Sequence, residues 1–314
     1  MPLFEPDHFF YKHNILKYTS QKKEEPLLSG GITITYEYLT YLTTGNAYEP
    51  TYSSDFPAKR LSTRLEWEDL ILDPLILDEI EEMLAWIQHR KTIMEDWGLE
   101  KKLKPGYRAM FYGPPGTGKT LTASLLGKAT GMAVYRIDLS QIVSKYIGET
   151  EKNMASIFNQ AEHKDWILFF DEADALFGKR TATSDAKDRY ANQEVAYLLQ
   201  RIEAFPGTII LATNLKGNID DAFSRRFQAF VYFPMPGPEQ RLQLWQNAFS
   251  KKTKLADDVN LQEIAEKYEI AGGAIINILR YCSLAALRRG GNIIEKQDIV
   301  RGIRREYRKE GKTG

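Results

Sequence analysis

The chain has 314 residues, 43% of them hydrophobic, which is enough for one large domain or two smaller ones with a substantial core. Lysine plus arginine and aspartate plus glutamate both number 42, a balance that argues against a dedicated nucleic-acid-binding protein but leaves room for a local basic patch. The single cysteine, Cys282, excludes an internal disulfide, the apolar runs are too short to span a bilayer, and the N-terminus does not read as a signal peptide, so we expect a cytoplasmic protein.

Residues 1–60 differ in composition from the rest of the chain, with many tyrosines and one alternating β-branched segment, Ile32-Thr33-Ile34-Thr35-Tyr36. That alternation predicts a strand, and Gly30-Gly31 and Gly45-Asn46 predict turns on its two sides. We interpret this region as an N-terminal extension of unknown fold. Its role stays open between docking a partner and packing on the main domain.

Residues 61–235 alternate between helix-like and strand-like segments. A helix is expected from Pro74 to about Arg90, and strands are predicted at Tyr107–Tyr112, Ala133–Asp138, Trp166–Glu172 and Thr208–Thr213, with helices between them. Such alternation is typical of a parallel sheet covered on both faces by helices. The predicted class is therefore α/β, with a parallel sheet sandwiched by helices.

A proline- and glycine-rich stretch, Phe233–Pro238, precedes a change in composition. From there to the end of the chain, helical runs are predicted at about 239–250, 258–268, 274–289 and 295–308. We expect a small all-helical second domain over residues 236–314, with the proline- and glycine-rich stretch as its hinge.

The segment between the first predicted strand and the next helix fits the pattern G-x-x-x-x-G-K-[ST] of a phosphate-binding loop. Its glycines let successive backbone N–H groups point at phosphate oxygens, and the N-terminus of the following helix adds positive potential. Lys119 would contact the β- and γ-phosphates, and the hydroxyl of Thr120 would ligate Mg²⁺. The nucleotide-binding residues predicted here are Gly113, Pro114, Pro115, Gly116, Thr117, Gly118, Lys119, Thr120 and Leu121. The sequence therefore predicts a site for a nucleoside triphosphate.

Two acidic residues, Asp171 and Glu172, end the apolar run that begins at Trp166. Ligands of parallel α/β sheets bind at the carboxyl ends of the strands, so we expect Asp171 to hold Mg²⁺ through its water shell. Glu172 would orient and deprotonate the attacking water. Asn214 ends the strand that begins at Thr208, where its amide could contact the γ-phosphate or the water; asparagine is also a common turn residue at a strand end.

Together these motifs resemble the AAA ATPase family over about residues 65–300. The loop has the family's GPPGTGKT form, WILFFDEADALFGKR resembles its acidic motif, and ATN ending at Asn214 resembles its first sensor. DDAFSRRF resembles the stretch that carries two arginine fingers. The resemblance implies that these are Arg225 and Arg226, which would act on the ATP of a neighbouring subunit.

The same resemblance implies a base pocket and a central channel. The residues implied to lie against the base are Asp69, Leu70, Ile71, Gly272 and Gly273. SKYIGETEKN resembles the first pore loop of protein-remodelling members, which would place Lys145, Tyr146 and Ile147 in a channel, with Tyr146 gripping a threaded polypeptide. AGGAIINILRYCSLAALRRG resembles the family's helical lid, and we use the name lid for the helical region 236–314. This lid has Ala274 where clamp-loader and initiator members carry a second-sensor arginine, and this departure favours the remodelling type.

Two further segments resemble sequences of bacterial AAA proteins encoded with phage-tail-like contractile injection systems, namely FPAKRLSTRLEW and RYANQEVAYLLQRIE. The whole resemblance implies an ATP- and Mg²⁺-dependent ring that remodels or disassembles protein complexes and hydrolyses ATP between its subunits. A homohexamer is the family's habit. The implied partners are further copies of the chain and a protein substrate, without a membrane span or nucleic acid.

Three other functions remain as alternatives. A GTPase is disfavoured because Asn214-Leu215-Lys216-Gly217 departs from the Asn-Lys-x-Asp pattern of that class. A DNA-acting AAA motor is disfavoured by the balanced charge and the aromatic pore loop, although stimulation by DNA with a steep salt dependence would favour it. A nucleotide-gated adaptor or structural subunit with little hydrolysis is disfavoured by Glu172 and the two arginines, but it stays open.

Overall fold

The structure is a computed structural model. It describes residues 5, 8–19, 30–46, 48–53, 56–142, 149–162, 164–174, 186–214, 225–250 and 252–312. No helix in these ranges is both long and apolar enough to cross a lipid bilayer.

The N-terminal region begins with a short helix and a small antiparallel sheet. Its elements are α1 (Phe9–Lys12), β1 (Leu16–Thr19), β2 (Gly31–Ile34) and α2 (Tyr36–Thr44). Among the described residues, the strands β1 and β2 form a separate two-stranded sheet. A two-stranded sheet is marginally stable in water, so this unit depends on contacts with the rest of the protein.

The strand predicted at Ile32–Tyr36 is wrong at its C-terminal end. Thr35 is the N-cap of α2, because its hydroxyl accepts a hydrogen bond from the backbone N–H of Tyr38 at 3.3 Å. That cap outweighs the alternating pattern. The helix ends at Gly45 with φ 73°, where the sequence predicts a turn.

A six-stranded sheet in the order β3-β5-β6-β7-β4-β8 forms the centre of the protein. Its strands are β3 (Lys59–Leu61), β4 (Tyr107–Tyr112), β5 (Ala133–Asp138), β6 (Trp166–Asp171), β7 (Thr208–Thr213) and β8 (Ala229–Tyr232). Strands β4 to β8 pair in parallel, as predicted. The edge strand β3 instead pairs antiparallel with β5, so the sheet is mixed at this edge. The reason is that β3 precedes the first βαβ crossover and comes directly from the N-terminal extension.

Helices cover both faces of this sheet. They are α3 (Pro74–Lys91), α4 (Lys119–Thr130), α5 (Leu139–Ile142), α6 (Glu149–Ala161) and α7 (Ala186–Ala204). Buried side chains of α3 and α4, such as Met83 and Leu126, share one core cluster with the sheet. Phe158 of α6 and Ile202 of α7 belong to the cluster on the other face. The predicted α/β class is confirmed.

The C-terminal region is helical, as expected, with one addition. It contains α8 (Pro238–Ala248), α9 (Leu261–Lys267), α10 (Gly272–Arg288) and α11 (Lys296–Lys309), and it also contains the parallel pair β9 (Lys254–Leu255) and β10 (Ile293–Ile294). Its core includes Trp245 and Cys282. Burial raises the pKa of the Cys282 thiol to about 12, so this cysteine is a packing residue.

Part of the N-terminal extension is built into the main domain. Phe56 is only 2% exposed, and its ring centroid lies 5.4 Å from that of Tyr135 and 6.0 Å from that of Trp166. Lys164 forms an ion pair with Glu37 of α2 at 2.7 Å. These contacts of Glu37 and Phe56 support the interpretation that the extension packs on the main domain.

We predict that Phe56→Ala lowers the free energy of unfolding by about 3–5 kcal/mol, because it empties a buried aromatic site between the extension and the sheet. Urea unfolding followed by fluorescence measures this change. Tyr52→Ala is the matched control, since Tyr52 is 53% exposed and its loss should have little effect. Equal effects of the two substitutions would show that the extension is not part of the core.

Candidate functional site

The loop between β4 and α4 lies at the carboxyl edge of the sheet and requires glycine at defined positions. Gly113, Gly116 and Gly118 have φ values of 136°, 75° and 111°, which side chains rarely tolerate. A Cβ atom on Gly113 would lie 2.1 Å from the carbonyl oxygen of Phe233, just after β8. The backbone of the loop can therefore approach β8 only because this residue is glycine.

Lys119 begins α4 and folds its side chain back into the loop. Its Nζ donates hydrogen bonds to the carbonyl oxygens of Gly113 at 2.7 Å and Pro114 at 2.8 Å. Burial lowers the pKa of Lys119 to about 8, while the negative charges of Asp171 and Asp174 act in the opposite direction. An anion entering the loop would compete with neutral carbonyl groups for a buried ammonium group.

A cavity of about 460 Å³ lies between this loop, the segment before α3 and the start of α10. That volume is within the usual range for small-molecule sites. The predicted residues that line it are Asp69, Leu70, Ile71, Pro115, Gly116, Thr117, Gly118, Lys119, Thr120, Leu121, Asp171, Glu172, Asn214, Gly272 and Gly273. Gly113 and Pro114 contribute through the carbonyl groups that hold Lys119. The structure thus brings the phosphate loop, the acidic strand end and the lid to one cavity.

The acidic strand end has an unusual backbone. Glu172 has φ 54°, a left-handed conformation that non-glycine residues rarely adopt, and its side chain is exposed at the cavity. Its backbone N–H donates to Oδ1 of Asp171 at 3.0 Å. Backbone strain of this kind concentrates at functional sites, where surrounding structure must hold it in place.

Asp174 is a site residue that the sequence reasoning missed. Its carboxylate accepts hydrogen bonds from the hydroxyl of Thr213 and, at 3.0 Å, from the backbone N–H of Asn214. It thereby ties the end of β7 to the turn after β6 and sets the position of Asn214. The sequence did show an acidic residue at the end of Asp171-Glu172-Ala173-Asp174, which could have marked Asp174 as a site residue. Its partners Thr213 and Asn214 lie at the end of another strand, and a local sequence pattern does not predict such a pairing.

The lid contacts the phosphate loop directly. The backbone N–H of Gly273, in the first turn of α10, donates to the carbonyl oxygen of Gly116 at 3.0 Å. A Cβ atom on Gly273 would lie 3.1 Å from the Cα atom of Gly116, so the two backbones meet with little room for a side chain. This contact fixes the start of α10 over the cavity.

An apolar wall completes the cavity, and the sequence reasoning found only part of it. The additional lining residues are Leu65, Leu72, Asp73, Ile76, Pro234, Pro236, Gln240, Leu244, Ile275 and Ile276. Leu244 of α8 approaches the position of a Cβ on Gly272 at 3.6 Å. The spacing of apolar residues predicted that α8 and α10 are helices. It does not predict which of these apolar residues face the cavity and which pack in the lid core.

The two predicted arginine fingers are among the described residues. Arg225 is exposed, and Arg226 places Nε 3.5 Å from Oε2 of Glu203 at the end of α7. Neither is among the described residues that line the cavity. Residues 220–224 of the predicted finger segment lie outside the described residues, as do the predicted pore residues Lys145, Tyr146 and Ile147.

The two predicted Mg²⁺ ligands, the Thr120 hydroxyl and the Asp171 carboxylate, line the same cavity. In the part of the chain that the structure describes, no group of three or more His, Cys, Asp or Glu side chains could hold a metal. Mg²⁺ usually takes one or two protein oxygens and completes its shell with water and substrate phosphates, so this sparse oxygen set fits it.

Comparisons with known proteins agree with this geometry. Residues 109–235 match the family model described as "ATPase family associated with various cellular activities (AAA)". The chain is 30% identical over 245 residues to 26S proteasome regulatory subunit 6A of Saccharomyces cerevisiae, covering 76% of this chain and 55% of that protein. It is 30% identical over 253 residues to the proteasome-activating nucleotidase of Archaeoglobus fulgidus, covering 78% and 62%.

A third relative is cell division protein C of Sulfolobus acidocaldarius, which is 37% identical over 169 residues, or 51% of this chain and 45% of that protein. The chain thus spans between 45% and 62% of the length of these relatives.

We predict that nucleoside triphosphate affinity is constant below about pH 8 and falls above it, by up to about tenfold per pH unit, because the phosphates bind the protonated form of Lys119. A bound triphosphate raises the pKa of Lys119, so binding above its free value must take up a proton. Titration with a fluorescent nucleotide between about pH 7 and pH 9 measures this dependence. Lys119→Met should bind weakly and lose the inflection, and an inflection retained in that variant would assign it to another group.

Proposed function

We propose that this protein hydrolyses ATP with Mg²⁺ and uses the reaction to remodel, unfold or disassemble protein complexes, since residues 109–235 match the family model of the AAA ATPases. The observation that carries the proposal is the single cavity that joins Lys119, Thr120, Asp171, Glu172 and Asn214. A binding site alone would not need an exposed carboxylate beside the position expected for the γ-phosphate.

In this proposal, each of these residues has a role that its position supports. Lys119 would bind the β- and γ-phosphates, and Thr120 and Asp171 would hold Mg²⁺, which would supply neutralisation of phosphate charge. Glu172 orients the attacking water and takes its proton. Asn214, set by Asp174, contacts the γ-phosphate or that water.

We further propose that the protein forms a ring in which each ATP lies between two copies of the chain. Six subunits are usual for the family. Arg225 is exposed and is not among the described residues that line the cavity of its own subunit, which supports a role at the neighbour's ATP. Arg226 belongs to the same proposal. A protein substrate, gripped by Tyr146 with Lys145 and Ile147 beside it, agrees with relatives named as a proteasome regulatory subunit and a proteasome-activating nucleotidase.

A narrower assignment, to the assembly or disassembly of a phage-tail-like contractile injection system, rests on sequence resemblance in FPAKRLSTRLEW and RYANQEVAYLLQRIE. The relatives described above have proteasome and cell-division names and do not support it. We keep it as a proposal about the substrate, together with the cytoplasmic location expected from the single cysteine.

We predict that Glu172→Gln binds Mg-ATP with near-normal affinity, loses turnover by at least about a hundredfold, and accumulates as a ring-sized species. Light scattering beside the wild type measures the mass, and phosphate release measures turnover. Near-zero turnover in assembled wild-type protein would instead favour a nucleotide-gated adaptor. A variant that binds ATP and stays monomeric would show that ring formation needs another component.

We predict that Arg225→Ala binds ATP normally but hydrolyses it about a thousandfold more slowly in the assembled state, because charge on the transferring phosphate is no longer neutralised. Arg304→Ala, at an exposed position of α11, is the control.

The shared site can then be tested by mixing Arg225→Ala with Lys119→Ala. Each is inactive alone, yet random co-assembly should restore roughly a quarter of the interfaces, where an intact pocket meets an intact arginine. No recovery despite proven co-assembly would contradict the placement of Arg225 at the neighbour's ATP.

A further inference from the structure

The carboxylate of Asp171 already has a positive partner from its own subunit. Arg136 of β5 places Nε 2.8 Å from Oδ2 of Asp171, and this Nε atom is buried. The N–H is not directed at a hydrogen-bond acceptor, so the contact is an ion pair without a well-formed hydrogen bond. The other oxygen, Oδ1, accepts the backbone N–H of Glu172. Both oxygens of the proposed Mg²⁺ ligand are therefore engaged within the protein.

The strand register produces this contact. β5 and β6 pair in parallel with Asp138 opposite Asp171, so Arg136 lies two residues earlier on the face of the sheet that α4 covers. On β5 itself, Asp138 carries a carboxylate, but its oxygens accept hydrogen bonds from Ser140 and Gln141. The positive charge of Arg136 is thus directed to Asp171.

We propose that Arg136 is a resident cation that competes with Mg²⁺ for Asp171, so that breaking this ion pair is part of binding the metal–nucleotide complex. The inference rests on the proposed function of the site. A guanidinium group within ion-pair distance of Asp171 partly neutralises the carboxylate and would repel a divalent cation held there. Arg136 therefore acts as a positioning residue that raises the Mg²⁺ concentration needed for tight nucleotide binding.

A purely structural role for Arg136 predicts the opposite change in Mg²⁺ binding when the arginine is removed. If Arg136 only held Asp171 in place for the metal, its removal would weaken Mg²⁺ binding. If Arg136 competes with the metal, its removal strengthens it. The pair is partly exposed, with 38% of the Arg136 side chain and 18% of the Asp171 side chain accessible, so the effect is moderate. We expect the Mg²⁺ midpoint to fall about threefold to fivefold when the arginine charge is removed.

The experiment titrates Mg²⁺ into the full chain with a fluorescent, non-hydrolysable ATP analogue and records binding. Arg136→Met keeps an unbranched apolar stem and removes the charge, and Arg136→Gln is a second neutral variant should methionine not fold. Either should need less Mg²⁺ for half-maximal tight binding. Arg136→Lys keeps a positive charge and should restore the midpoint most of the way to that of the wild type.

Arg60→Gln is the matched control. Arg60 lies on the neighbouring strand β3 and pairs with Glu49 away from the cavity, so its loss should leave the midpoint unchanged. Asp171→Asn should remove most of the Mg²⁺ dependence, and adding Arg136→Met to it should cause no further shift. An unchanged or raised midpoint in both neutral variants, with nucleotide binding retained, would overturn this inference alone. Failure of the wild type to bind the nucleotide would overturn the proposed function.

Discussion

The phosphate loop is held by direct contacts between backbones, and the rest of the site depends on them. Gly113 lies against the carbonyl group of Phe233, and the carbonyl group of Gly116 accepts a hydrogen bond from Gly273. Side chains can relieve a poor contact by changing rotamer, but backbone groups can do so only by moving whole segments. The loop is therefore clamped between the end of β8 and the start of the lid. Its conformation is tied to the central sheet on one side and to the helical region on the other.

Three charged side chains at the cavity have partners within the protein. Lys119 is bonded to carbonyl groups of its own loop, Asp171 is paired with Arg136, and Asp174 is bonded to Thr213 and Asn214. Buried polar groups without partners are costly, so this pairing stabilises the cavity without a ligand. It also means that a ligand gains affinity only by offering better partners than those already present. A multiply charged phosphate chain with its metal meets that condition.

The sequence predicted the features whose signals are local. A glycine-rich loop after an apolar strand identifies Lys119 and its surroundings, and a buried run ending in acids identifies Asp171, because each pattern reports on its own segment. The features that it missed depend on distant pairing. The antiparallel strand β3, the role of Asp174 and the apolar wall around Leu244 all arise when separate elements meet. At Thr35 a single side-chain cap outweighed the alternating pattern on which the strand prediction relied.

The bond between Gly116 and Gly273 also gives the lid a mechanical property. It lies at one end of α10, a helix of 17 residues whose length is about 25 Å at the usual rise per residue. A stiff rod pivoting at one end amplifies motion toward the other. A rotation of about 10° at the loop would displace the far end of α10 by about 4 Å, a distance comparable to a strand spacing. A small rotation of the phosphate-binding loop would thus cause a larger displacement of the far end of α10, and the length of this helix sets the ratio between the two movements.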